Sequence, residues 1–487
     1  MPSILGANTL SSGFDVANSL RFNDDDSAYL DKTPSGDGSR VKWTWSGWVK
    51  RCSFGHQPIF STPGNSGNIY DEFYFNSTDK IQYSAVVSGT QYALRTARKF
   101  RDTNAWYHIV LIFDSNNGTA SDRMQLWVNG VRTAEADIED TTFKDAQNYN
   151  SATNKASYVT YLGRVSTNTA AYFDGYMAEV VFQNDNADSP VDKFGEFDED
   201  SGIWKPINVS GLSLGTNGSY LDFEDSSDLG NDKSGSNNWS SNNLAATDQM
   251  TDTPTNNFAT FNGNLKYSST MSLAEGNLKG TTGSSHEAFF QSFFSTIGVS
   301  AGKWYAEFKV TAQASHALIG ISADMESDAN GSNGSAYSFI YKGQGLGIYG
   351  TNGKFFHTDS NTQVSYGSAL SNNDIIGVAM DVDNQEVYFS ENGTFLNSGN
   401  PASGASKTGG VVNAGGRNIF STGSGTLFFA VADFDQSAQC VFEANFGGGS
   451  VSAISSGNAD ANGHGNFEYA VPSGYFALCT KNLAEHG

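Results

Sequence analysis

The sequence predicts an all-β protein built of two antiparallel β-sandwiches joined by an ordered, largely coil connector. Three observations carry that reading. The stretch Ile375 to Gly399 (IIGVAMDVDNQEVYFSENGTFLNSG) sets an apolar run of strand length, turn chemistry at Asp383-Asn384, an alternating segment and the hairpin dipeptide Asn392-Gly393. Trp106 to Arg132 repeats the device: WYHIVLIFD, a polar loop, MQLWV, Asn129-Gly130, then a further strand. The composition agrees, because 53 Gly, only 9 Pro and 13% aromatics suit many short strands joined by tight turns.

At 487 residues the chain exceeds one ordinary core and suits two domains of about 200 residues each. The expected division is 1–185, a connector over 186–258, and 259–487. In the first domain, strands are expected at Ser19 to Phe22 and Ala28 to Asp31, flanking the acidic turn Asp24-Asp25-Asp26. In Val41 to Lys50 (VKWTWSGWVK), alternation puts Val41, Trp43, Trp45, Gly47 and Val49 on one face, and Thr44, Ser46, Trp48 and Lys50 on the other. One of these faces is expected to look inward. Shorter strands follow at Gln57 to Ser61, Asp71 to Phe75, Lys80 to Val87 and Gln91 to Ala97. After the hairpin, Tyr158 to Arg164 and Tyr172 to Phe182 close the set.

Taken in order, SLRF and AYLD, WTWSGWVK, WYHIVLIFD with MQLWVNG, and YLGR with YFDGYMAEVVF resemble a laminin-G-like (concanavalin A-like) jelly roll over roughly Ser19 to Asp185. The resemblance implies binding of glycans or proteins, sometimes through calcium, and in a minority of members hydrolysis of polysaccharides. A hydrolase of that kind needs Glu-x-Asp-x-x-Glu on one strand, so that nucleophile and acid share a face. The nearest match, Glu196 to Ser201, carries Ser201 in place of the acid and runs through polar sequence, so no enzyme is expected. Asp24, Asp26 and Asp174, with Asp25, could supply hard oxygen ligands near loop ends; no cofactor is required, and calcium is the one candidate.

From about 186 to 258 the pattern breaks into Asp-, Asn- and Ser-rich sequence with apolar anchors at Phe194, Phe197, Trp204, Tyr220, Leu221, Phe223 and Trp239. A free linker would not carry aromatics in this way, so ordered coil with one short strand at Tyr220 is expected. The run from Gly218 to Phe258 resembles a connecting segment of structural proteins of marine bacteriophages.

In the second domain, GKWYAEFKVT (Gly302 to Thr311) alternates with Trp304, Ala306, Phe308 and Val310 on one face. Strands are expected next at Leu318 to Ser322, Tyr337 to Tyr341, Gly345 to Tyr349 and Lys354 to His357, with Asn352-Gly353 as a hairpin turn. Ile375 to Gly399, Thr426 to Asp433 and Gln439 to Phe446 complete the domain. The order GKWYAEFKV, IGIS, GLGIYGTNGKFF, DIIGVAMDVDNQEVYFSENG, LFFAVAD and CVFEANFG resembles a SPRY domain, also a concanavalin-like sandwich. That resemblance implies recognition of a protein, peptide or glycan by the loops between strands, without catalytic machinery. The loops concerned are Asp324 to Ala336, His357 to Tyr366 and Gly399 to Arg417, with Asp324, Asn330, Asn333, Asp359, Asn361 and Arg417 as candidate ligand-binding residues.

The 51 acidic against 28 basic residues give a formal charge of −23, which opposes nucleic acid and anionic membranes as partners. No apolar run approaches the roughly 18 residues of a membrane span, and MPSILGANTL lacks a basic region followed by an apolar core, so neither insertion nor signal-directed secretion is expected. Cys52, Cys440 and Cys479 are too few and scattered for a disulfide framework or a zinc site. Gly345 to Gly350 spells G-x-G-x-x-G, but Asn-Gly and another strand follow instead of a helix, so it is no dinucleotide site.

Together the resemblances imply a bacteriophage virion protein: a tail-fibre or adhesin component assembled in host cytoplasm, exposed on the particle and bound to host cell-surface glycans. Other virion proteins and further copies of the chain are the remaining expected partners. The rival expectations are a purely structural virion subunit and, third, a polysaccharide-degrading enzyme.

Overall fold

The computed structural model describes residues 13–64, 69–165, 171–185, 190–235, 237–265, 270–283, 291–323, 325, 339, 344–357, 362–415, 418–421, 425–433 and 439–487. Among them the chain is nearly all β and divides into two compact units, 1–256 and 257–487.

The first unit is a sandwich of two antiparallel sheets. One sheet runs, edge to edge, Val131–Arg132, Met124–Val128, Tyr107–Asp114, Lys42–Arg51, Gly175–Asn184, Ser19–Phe22 and Gln249–Met250, with Ser219–Leu221 also paired to Gly175–Asn184. The other runs Ile138–Asp140, Thr90–Lys99, Lys80–Val87, Ile69–Phe75, Gln57–Pro63, Thr160–Leu162, Tyr29–Lys32 and Ser240–Asn242. Alternation does what period-2 geometry requires: Trp43, Trp45 and Val49 point into the core with Phe60, Phe73, Tyr83, Phe113 and Phe182. Trp43 stacks on Phe113 with ring centroids 5.1 Å apart. The Asn129-Gly130 turn has positive φ at both residues (49° and 74°), the primed hairpin geometry that matches strand twist.

The Lys42–Arg51 strand is buried on both faces, not on one as its alternation suggests. The physical reason lies in the stretch assigned above to a connector, which is woven into the first unit and carries it on to Asn256. Its strands 219–221, 240–242 and 249–250 extend both sheets, and Phe194, Val209, Leu214 and Tyr220 pack with Val110, Ile112 and Val181 over the outer face of the first sheet. Polar groups beneath that cover are met by polar groups within it. Trp204 donates its indole N–H to His108 Nδ1 (3.0 Å), which leaves His108 Nε2–H to donate to Ser46 Oγ (2.9 Å). Burial pushes the His108 pKa down to about 3, so the ring stays neutral. Asp252 accepts from Lys50 Nζ at 2.7 Å and from Trp106 Nε1 at 3.1 Å, while Asp248 takes Arg21 at 2.9 Å. Of the aromatic anchors, Phe197 alone remains largely exposed (45%), edge-on to Trp204.

Tyr158 to Arg164 does not run as one strand. Gly163 takes φ +78°, with the Phe22 ring where a Cβ would stand, and the chain breaks there so that Arg164 pairs with Tyr172 in a separate two-stranded ladder.

The second unit is also a sandwich. One sheet runs Ser272–Ala274, Lys279–Thr281, Val441–Asn445, Lys303–Ala312, Ile375–Asp381, Glu386–Glu391 and Thr394–Phe395, with Phe476–Ala477 added in parallel to Lys303–Ala312. The other runs Ser292–Phe294, Phe428–Asp433, Ala317–Ser322, Gly345–Tyr349, Lys354–His357 and Thr362–Ser365. Phe308, Phe429 and Phe446 meet between them. The expected hairpin closes at Asn392-Gly393 with φ of 48° and 80°. Asn352-Gly353 instead ends a four-residue loop, since Tyr349 pairs with Lys354. Of the strand expected at Tyr337 to Tyr341, only Phe339 is among the described residues. Cys52, Cys440 and Cys479 are all buried.

Candidate functional site

The first unit carries an open groove of about 670 Å³ on the outer face of its second sheet. Strand alternation builds it. In Ile69–Phe75 the side chains of Phe73 and Phe75 enter the core, leaving Glu72 and Tyr74 outside; in Lys80–Val87, Ile81 and Tyr83 go in and Gln82 stays out. Arg95 joins from the neighbouring strand, and His56 and Glu139 close the ends.

Within the groove, His56 Nε2 lies 2.5 Å from Glu72 Oε1, and its ring stands edge-on to Tyr74 at 5.0 Å. Burial raises the Tyr74 phenol to about 12, so it stays a neutral donor and acceptor. Asn76 Nδ2 donates to Gln82 Oε1 (3.1 Å), and Gln82 Nε2 to Ser84 Oγ (2.9 Å). Glu139 pairs with Lys80 and with Arg95 (3.4 Å); the hydrogen bond from Lys80, then the charge of both cations, lowers its pKa. The groove therefore offers one aromatic ring, two amides and charges of both signs, all anchored on a rigid sheet.

A smaller recess of about 260 Å³ in the second unit lies between the Lys303–Ala312 sheet and the segment 450–455. Lys309 Nζ donates to Ser452 Oγ (2.9 Å), which donates to Glu443 Oε2 (2.5 Å). Nearby, buried Glu307 accepts from the backbone N–H groups of Glu468 and Tyr469 (2.9 Å each). These bonds fasten the covering segment and the chain beyond it to the sheet.

The residues named from sequence are placed as follows. Asp324, Asn330, Asn333, Asp359, Asn361 and Arg417 lie outside the described residues. The described end of the third loop is held by Glu386, fully buried, whose carboxylate accepts from Val412 N (2.6 Å) and Asn413 N (2.9 Å). The register Phe22↔Gly175 brings the Asp24–Asp26 turn and Asp174 to the same end of one ladder. Their surroundings differ: Asp26 is exposed and accepts from Asn23 Nδ2 (2.8 Å), whereas Asp174 is 1% exposed, its N–H given to Gln57 Oε1 and its carbonyl taken by Cys52 N. Among the described residues no three His, Cys, Asp or Glu side chains gather as a metal site. Sequence reasoning passed over the groove residues, although the outward set of IYDEFYF, with Glu72 and Tyr74 alternating with inward Phe73 and Phe75, carried the signal.

Residues 22–188 match the Laminin_G_3 family, described as the concanavalin A-like lectin/glucanases superfamily, and 303–412 match the SPRY domain. The chain thus carries an N-terminal concanavalin A-like domain and a C-terminal SPRY domain. Among solved structures, the SPRY domain of human HERC1 is 12% identical, covering 38% of this chain and 96% of that one, with a TM-score of 0.27. A heptameric SAP-like pentraxin from Limulus polyphemus is 14% identical, with coverage of 41% and 100% and a TM-score of 0.28. A candidate carbohydrate-binding protein from Bacteroides ovatus is 16% identical, with coverage of 47% and 59% and a TM-score of 0.29. Among curated proteins none matches in sequence.

Proposed function

We propose that the chain is a carbohydrate-binding protein that takes a glycan along the outer face of the second sheet of its first unit. The observation carrying this reading is the groove around Tyr74, His56, Glu72, Gln82 and Arg95. A sugar has apolar ring faces and a rim of hydroxyls; one aromatic face with convergent amides and charges answers both. The presence of a lectin-type domain supports it.

The finer reading is a bacteriophage virion protein, a tail-fibre or adhesin component that binds host surface glycans without turning them over, beside other virion proteins and further copies of itself. Its support is the resemblance of Gly218 to Phe258 to phage connecting segments. The SPRY loops belong to the same proposal as auxiliary contacts, whereas Asp24, Asp26 and Asp174 do not gather into one ligand set, so calcium enters only as a condition of the test.

The test is a glycan array probed with the full chain, with and without calcium, followed by adsorption to host-cell envelopes. Tyr74→Ala and Gln82→Ala are each expected to weaken the bound glycan about tenfold, the worth of one stacked ring or one buried hydrogen bond pair. Absence of any bound glycan under either condition, or binding indifferent to both substitutions, would overturn the reading.

A further inference from the structure

A second cluster stands on the same sheet face. The register runs Glu72↔Ser61, Ser61↔Tyr161 and Tyr161↔Asp31 in one row, and paired residues point to the same side. The neighbouring row, Phe73↔Phe60 and Phe60↔Leu162, enters the core, so Tyr161 shares the outer face with Glu72. Two strand spacings, about 10 Å, separate them.

At Tyr161 the break at Gly163 turns Arg164 back across the sheet. Its guanidinium lies 4.5 Å from the centroid of Tyr29, 4.8 Å from Tyr161 and 5.7 Å from Tyr172. Tyr29 is edge-on to Tyr161 at 5.6 Å. The three rings hold the cation in place. Arg164 Nε is shielded from water and has no hydrogen-bond partner, and no carboxylate among the described residues pairs with the guanidinium. The two Nη groups, left open between half-buried tyrosines, fit a planar anion bidentately, while the tyrosine faces suit the ring that carries it. The formal charge of −23 does not forbid this, because surface charges beyond about 8 Å are largely screened at physiological salt.

We infer that Arg164, Tyr29, Tyr161 and Tyr172 form a subsite for an acidic sugar, the carboxylate on the guanidinium and the saccharide reaching along the sheet face to the Tyr74 groove. The inference rests on the carbohydrate-binding reading and gives it a substrate class: oligosaccharides bearing uronate-type carboxylates. Binding is measured to acidic oligosaccharides and to the same oligosaccharides with the carboxylate reduced to an alcohol, using full-length wild type, Arg164→Gln and Arg164→Lys, with sulfated counterparts as a further arm. Wild type is expected to prefer the carboxylate about tenfold or more, the worth of a charge-assisted bidentate pair. Arg164→Gln should erase the preference and Arg164→Lys should keep only part of it, with melting curves confirming the fold of both.

Equal binding of acidic and reduced forms, a preference that survives Arg164→Gln, or a preference for sulfate alone would overturn the subsite while leaving the groove reading intact. Failure to bind any oligosaccharide would overturn both.

Discussion

Removing the Asp252 carboxylate should loosen the first unit more than any surface substitution. Lys50 is fully buried, its ammonium 2.7 Å from Asp252 Oδ2, and Asp252 Oδ1 also receives the Trp106 indole at 3.1 Å. In Asp252→Ala a charge-assisted bond is lost and an ammonium stays in the interior, a defect of about 3–5 kcal/mol. With an m-value of about 3 kcal/mol per molar urea, the midpoint should fall by roughly 1–1.7 M. Seven of the eight tryptophans (43, 45, 48, 106, 127, 204 and 239) belong to the first unit, so tryptophan fluorescence follows its transition within the full chain. Lys50→Met combined with Asp252→Asn removes both charges and keeps an acceptor for Trp106; it should recover at least half of the loss. A single-variant loss under about 1 kcal/mol, or a double variant no better than the single one, would refute the assignment of this pair as the clasp of the outer face.

Three further predictions concern stability. Burial raises Glu179 to about 8, against the lowering effect of the Tyr220 hydroxyl at 2.6 Å. The native state therefore holds a proton that the unfolded chain releases above its ordinary value near 4.5, and stability falls as pH rises from about 4.5 through 8. Wild type should lose on the order of 4 kcal/mol relative to Glu179→Gln across that window, measured by urea titrations at several pH values. A chain ended at Asp185 lacks the 219–221, 240–242 and 249–250 strands and should show no cooperative melt by circular dichroism, whereas one ended at Asn256 should melt cooperatively. Gly393→Ala places a methyl at φ +80° and 2.5 Å from the Tyr469 ring, which should cost the second unit about 1–3 kcal/mol in denaturant unfolding.

The hairpins were legible because their signals are local. Asn129-Gly130 and Asn392-Gly393 adopt the conformation their residue types favour, and WTWSGWVK sends Trp43 and Trp45 inward as its alternation requires. The cover over the outer face was not legible, because its partners are far apart in the chain: Lys50 meets Asp252 across 202 positions and His108 meets Trp204 across 96. No local pattern encodes such a pairing, and the polar composition around Asp252 reads as loop. A trace of it was present, since Trp48 on the supposed solvent face is a poor match to water. The groove was hidden for a related reason: Glu72, Gln82 and Arg95 become neighbours only through the register of three strands.

The embrace of Ser19–Phe22 by Gln249–Met250 has a kinetic consequence. The opening strand acquires its outer neighbour only after some 230 intervening positions have left the ribosome. Until then its backbone edge and the Trp48 face stand open, a template for pairing with nascent neighbours. Closure between such distant segments is slow for entropic reasons. Refolding of the first unit should thus be concentration-sensitive, and its yield limited by how quickly the late-arriving segment reaches the strand made some 230 positions earlier.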